Sequence, residues 1–146
     1  MYKTMQVIYT ALARLPLTAF ALVASALAKH AATVIKMPES LIEEEANMKS
    51  FKRIKNFPNV IGAIDCTHIK IKKVGGDITQ YYINGKGYYS LNVQVVCDAN
   101  LKICNVVARW RGNTHDCRIF DESIFKQQLE AGKFKGRLVG DSGYKL

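Results

Sequence analysis

Acidic residues are in short supply: Asp and Glu number 12 against 21 Lys and Arg, a formal net charge of +9 with His neutral. Proline is also scarce, at three residues, and no low-complexity run interrupts a composition that is 49% hydrophobic and 23% charged. These features exclude a disordered tail and a collagen-like fibre. The four cysteines (Cys66, Cys97, Cys104 and Cys117) form no C-x-x-C pair and have no zinc-like spacing with histidine. A disulfide-dense scaffold is excluded, and reduced, buried thiols in an intracellular protein are the expectation. The longest apolar stretch, Leu15 to Ala28, is 14 residues, too short to span a bilayer. No helix-turn-helix or zinc-finger pattern is present, so sequence-specific DNA reading is not visible.

What is present is 146 residues, enough for one domain that hides about 70% of its unfolded surface without disulfide staples. The charge is unevenly placed. In residues 1–46 four bases cancel four acids, so the whole +9 belongs to residues 47–146. A basic excess of this kind suits an acidic partner, with nucleic acid ahead of an anionic membrane surface. A solvated basic face is the bland alternative.

The first 37 residues read as helix, interrupted at Pro16. Lys3, Arg14 and the Ala26-Leu27-Ala28 sequence imitate a secretory signal. The amphipathic lead of Val7, Ile8, Tyr9 and Leu12 favours a packed helix instead. Pro38 breaks the pattern, and Ser40-Leu41-Ile42-Glu43 has capping-box spacing. Acids crowd the following first turn and Lys49, Lys52 and Arg53 the last. Leu41, Met48 and Phe51 share one face, predicting a docked helix. Residues 1–56 are thus a helical lead-in and 57–146 the main domain.

From residue 57 onward, Val60 to Asp65 reads as a buried strand ending on a carboxylate. His68 to Lys72 alternates and either continues or pairs with it. Tyr89 to Cys97 and Ile103 to Trp110 are strands around an Asp98-Ala99-Asn100 turn. Asn113 or Thr114 can cap a helix from about Asp116 to Glu130, closed by Gly132, with Phe120, Ile124, Phe125 and Leu129 as its buried stripe. Arg137 to Asp141 is a short strand that again ends on an aspartate. Three antiparallel strands, a crossover helix and a parallel fourth strand make an α/β mixed sheet of the ribonuclease H type. Its first and fourth strands are neighbours, so Asp65 and Asp141 converge at one edge. Two carboxylates forced together call for a cation, and magnesium or manganese is the natural one. Paired metals of this kind serve nucleases and transposases.

Phe57 to Ile69, reading FPNVIGAIDCTHI, resembles the opening signature of the catalytic domain of Harbinger-type transposases and their domesticated nuclease relatives, which carry a DDE superfamily endonuclease domain. Tyr88-Tyr89-Ser90-Leu91-Asn92, Trp110-Arg111-Gly112-Asn113-Thr114-His115-Asp116 and Gly140-Asp141-Ser142-Gly143-Tyr144 follow in the family's order and spacing. The resemblance covers roughly residues 38–146. It implies Asp65 and Asp141 as the first two catalytic aspartates, and Asp116 as a further ligand of the metal. Cys66 stands where many relatives have glycine and Arg111 where many have proline; neither change removes a ligand. The family also uses a glutamate some tens of residues beyond the Gly-Asp-Ser-Gly-Tyr motif. The sequence ends at Leu146, so a C-terminally incomplete catalytic domain with impaired or absent turnover is the expectation. The resemblance further implies a DNA substrate, a nuclear location with a cytoplasmic one as the alternative, and a separate Myb-like DNA-binding partner. No membrane association is expected.

Each candidate has a plainer explanation. A strand-end carboxylate can cap nearby amides, and an aspartate in a first helical turn stabilises the helix dipole unaided. His68 and His115 flank proposed ligands and can support them by hydrogen bonds, or simply bond the backbone. Lys70, Lys72, Lys73, Tyr82, Lys86 and Tyr88 are candidate nucleic-acid contacts, since tyrosines beside lysine and glycine can stack on bases and meet phosphate. Alternatively the tyrosines pack on the sheet while the glycines turn the chain. Two functions follow: a metal-dependent nuclease of transposase origin, or a non-catalytic relic that binds nucleic acid or a protein partner.

Overall fold

A computed structural model describes residues 17–144 of the chain. Two compact units divide it, Met1–Ile35 and Lys36–Leu146. In the first, α1 spans Leu17–Val34; the expectations for residues 1–16 lie outside the described residues. No helix among the described residues is long and apolar enough to cross a membrane.

The second unit opens with α2, Leu41–Lys55. The Ser40 hydroxyl accepts from the Glu43 N–H at 3.3 Å, and Asn56, left-handed at φ 53°, donates its N–H to the Lys52 carbonyl. The Glu43 carboxylate accepts from the Glu39 N–H, one residue ahead of the cap. The inward face differs from the expected stripe. Phe51 is buried and Met48 packs against the core, but Leu41 is exposed and Glu44 is buried. The Glu44 carboxylate accepts from the backbone N–H groups of Lys135 (2.9 Å) and Gly136 (3.4 Å). A charge is tolerated inside because its lone pairs are used.

The sheet has strand order β3-β2-β1-β4. Strand β1 (Val60–Lys70) pairs antiparallel with β2 (Ser90–Cys97), which pairs antiparallel with β3 (Ile103–Arg111). Strand β4 (Arg137–Val139) lies parallel to β1, with Gly62 opposite Leu138 and Ala63 opposite Val139. The mixed sheet anticipated from element order is therefore present. Its two possible first strands are one continuous strand, so Asp65 lies mid-strand rather than at a strand end. Asp141 lies two residues beyond the end of β4.

The expected crossover helix is two helices, α3 (Asp116–Asp121) and α4 (Ile124–Glu130). Ser123 breaks them. Its buried hydroxyl donates to the Phe120 carbonyl at 2.7 Å and accepts from the Lys126 N–H at 3.0 Å, bonds that compete with a continuous helix. His115 occupies the cap of α3 without a side-chain bond. Ile124, expected inside, is 71% exposed, because the break rotates α4 to bury Phe125. Ile61, Ile64, Val96, Phe120, Phe125, Phe134, Leu138 and Tyr144 form the core. Phe125 meets Phe134 edge-on at 5.7 Å.

The approach of β4 to β1 is too close for a side chain at Gly136, where a Cβ would overlap the Ile61 side chain and come within 3.1 Å of the Asn59 carbonyl. Gly136→Ala is expected to destabilise the fold by about 2 kcal/mol, read as a lower urea midpoint. Gly85→Ala, where a Cβ meets nothing within 4 Å, should shift stability by less than about 0.5 kcal/mol.

Candidate active site

The parallel register of β4 on β1 runs toward both motif aspartates. Ala63 stands opposite Val139; two residues further along each chain are Asp65 and Asp141, and both are exposed. The Ile71 N–H bonds the Tyr89 carbonyl on the β2 side, so the Cys66 N–H, five residues earlier, points toward the opposite edge. There β4 has already stopped, and Asp65 Oδ1 takes that N–H at 2.8 Å. Asp141 Oδ1 accepts from the Gly143 N–H at 2.9 Å and its carbonyl from the Tyr144 N–H. Among the described residues neither carboxylate forms a salt bridge.

Tyr144 ties the turn carrying Asp141 to the residue beside Asp65. Its ring is buried edge-on against Phe120 at 6.1 Å, and its hydroxyl donates to Cys66 Sγ at 3.1 Å. Burial pushes the Cys66 thiol up to about 12, partly offset by the Tyr144 hydrogen bond and reinforced by the nearby Asp116 charge. Burial likewise raises the Tyr144 phenol, with the Cys66 contact adding to it. Both groups are neutral at physiological pH, and the pair is a positioning contact.

Asp116 lies near Cys66, on that residue's side of the sheet. Half-buried at the start of α3, it accepts from Asn92 Nδ2 at 2.8 Å, and the same amide donates to the Thr114 carbonyl at 2.9 Å. In the β1–β2 register Asn92 faces His68 and Gln94 faces Cys66, so these four share one side of the sheet with Asp116. Alternation along β1 sends Asp65 to the other side. Among the described residues no three His, Cys, Asp or Glu side chains group as a ready metal cage. His68 Nδ1 lies 3.2 Å from Ser90 Oγ, which accepts from Asn84 Nδ2. His115 is exposed.

The cationic candidates fall into separate places. Lys70 lies over the Tyr88 ring at 5.9 Å, while Lys72 and Lys73 are exposed just past β1. Lys86 is exposed in the turn closed by the Gly87 N–H on the Asn84 carbonyl, so the glycines do turn the chain. Tyr82 lies beneath Arg111. Tyr81, Arg109, Trp110, Arg111 and Arg118, none of them among the nucleic-acid candidates, together line one groove. The alternation Arg109-Trp110-Arg111 was the available signal.

A family model described as DDE superfamily endonuclease matches residues 64–146. The human protein named "Putative nuclease HARBI1" is 34% identical over 125 residues, 85% of this chain and 36% of that protein. Its Bos taurus counterpart is 35% identical over the same shares. An Arabidopsis thaliana protein named "Protein ALP1-like" is 29% identical over 111 residues, 66% of this chain and 27% of that protein. The chain thus spans about a third of the length of the curated relatives it matches (36%). No solved structure matches it.

With its thiol held up to about 12, Cys66 in the folded chain should react with iodoacetamide at least a hundredfold more slowly at pH 8 than an ordinary thiol of pKa about 8.5. The rate should climb about tenfold per pH unit up to the onset of unfolding, as the thiolate fraction rises. A rate that levels near pH 9 in peptide-mapped alkylation would contradict this environment.

Proposed function

This chain belongs to the DDE superfamily endonucleases, and on that premise we propose that Asp65 and Asp141 are the acidic pair of a divalent-metal-dependent nuclease of transposase origin acting on DNA phosphodiesters. The observation carrying the proposal is that the last parallel pair, Ala63 with Val139, stands two residues before each carboxylate, both exposed and with no salt bridge among the described residues. Hard carboxylate oxygens suit magnesium or manganese, which bind through one or two carboxylates and complete their shell with water and phosphate. DDE superfamily endonucleases use divalent metals; bound here, the ion would supply Lewis-acid stabilisation at the phosphate oxygens.

The chain's own residues do the rest by holding geometry. Tyr144 and Cys66 fix the Asp141 turn against β1. Asp116 is proposed as a positioning acid: it anchors the start of α3 to β2 through Asn92, on the side of the sheet opposite Asp65, rather than completing the pair. Lys70, Lys72 and Lys73 extend from the end of β1 as cations for the phosphate backbone. A nuclear location and a separate Myb-like DNA-reading partner belong to the same proposal. A metal-independent binding relic is the competing outcome of its test.

In 15N NMR spectra, submillimolar manganese should broaden the amides of residues 64–67 and 140–143 selectively. Asp65→Asn and Asp141→Asn together should abolish that broadening. Asp116→Asn should retain it while costing about 1–2 kcal/mol of stability through the weakened Asn92 bond. Broadening centred on residues 114–117, or none at millimolar manganese, would overturn the assignment and favour the relic.

A further inference from the structure

Beyond the acidic pair, the most concentrated unassigned chemistry lies at the end of the edge strand β3. An open groove of about 480 Å³ runs past Tyr81, Arg109, Trp110, Arg111 and Arg118, with no acidic residue in its lining. Its guanidinium groups lie within cation–π range of aromatic rings. Arg111 lies 5.3 Å from the Tyr81 ring and 5.8 Å from Tyr82; Arg109 and Arg118 lie 5.4 and 5.8 Å from Trp110. A cation–π contact holds an arginine while leaving in-plane N–H groups available to fork a phosphate; Arg109 Nη2 and Arg118 Nε each also donate to Glu122, and Arg111 makes no such bond among the described residues.

Three further observations point to a ligand. Arg118 is offset by Glu122 at 2.8 Å, but Arg111 forms no salt bridge among the described residues. Trp110 Nε1 is buried without a hydrogen-bond partner among the described residues. β3 carries a register shift between the residues opposite Asn92 and Gln94, and a bulge of this kind at a sheet edge re-aims side chains. This one falls at Ala108 and Arg109, between the pairs that Val107 and Trp110 make with β2.

We propose that this groove binds unpaired nucleotides of a nucleic-acid strand, with Arg111, Arg109 and Arg118 on the phosphates and the Tyr81 and Trp110 rings against a base. The proposal rests on the nuclease reading for its choice of ligand. The concave shape selects the strand form. A volume of this size admits a nucleotide, whereas a duplex keeps its base faces stacked and presents a convex backbone. The groove also adjoins the acidic motifs through the chain: its lining residue Thr114 offers the carbonyl that Asn92 holds together with Asp116.

Trp110 is the single tryptophan of the chain, so its fluorescence reports on this groove alone. The full chain is titrated in EDTA with a single-stranded oligothymidylate of about 12 nucleotides and with a duplex of the same length. Saturable quenching by the single strand is expected, with duplex affinity at least about tenfold weaker. Arg111→Ala should weaken single-strand binding about tenfold and lower the salt dependence by about 0.7 in log–log slope. Arg111→Lys should recover only part of the loss, since it restores charge but not stacking. Lys133→Ala, outside the groove, should change affinity less than twofold. Equal quenching by duplex, no quenching, or an unaltered Arg111→Ala would overturn the proposal. Because EDTA removes any need for metal, quenching without manganese binding at Asp65 and Asp141 would sink the nuclease reading alone. Manganese binding without quenching would sink the groove alone.

Discussion

The candidate site depends on a very short piece of parallel sheet. Among the described residues only Arg137–Val139 pairs parallel with β1, and its last pair, Ala63 with Val139, stands two residues before Asp65 and Asp141, which are 76 positions apart in the sequence. Three residues supply too few ladder bonds to hold such a strand by themselves, so side chains fix it at both ends. Before it, the buried Glu44 carboxylate on α2 collects the N–H groups of Lys135 and Gly136. After it, Tyr144 plugs into the core and reaches Cys66. Gly136 lets the backbones approach.

The sheet face under α3 is unusual in being buried and polar. Ser90, Asn92 and Gln94 are all within 1% of full burial, followed by Val96 on the same face. Burying such groups is unfavourable unless their hydrogen bonds are made. Asn92 does this with the Thr114 carbonyl and Asp116, and Ser90 with Asn84 and His68. Asn92 Oδ1 and both polar atoms of Gln94 have no partner among the described residues. A wholly apolar face would pack more simply but would not dictate where the Trp110–Asp116 segment sits. That segment carries both the groove residues and the start of α3, so the polar face connects fold to function.

Much of this was legible in the sequence. Strand order, the antiparallel and parallel pairings, the Ser40 cap and the left-handed Gly132 (φ 70°) follow from hydrophobic pattern, turn chemistry and connection rules. What was not legible depends on three-dimensional company. Glu44 looked like one of four surface acids, since nothing in residues 39–45 reveals two N–H groups approaching from residues 135 and 136. The break at Ser123 is local chemistry overriding a helical stripe, and it turned Ile124 outward. Asp116 closes the Trp110–Asp116 motif in the sequence, but which face of the sheet it occupies is set by register rather than by spacing. The arginine–aromatic groove assembles from a loop, an edge strand and a helix that no linear motif unites.

The central claim is that Asp65 and Asp141 form one metal-binding pair. Its most direct test is a crystal of the protein soaked in manganese, with anomalous difference maps recorded near the manganese absorption edge. The account predicts a peak between the carboxylates of Asp65 and Asp141, absent from Asp65→Asn crystals. A peak at Asp116 and His115, with nothing at the pair, would contradict it.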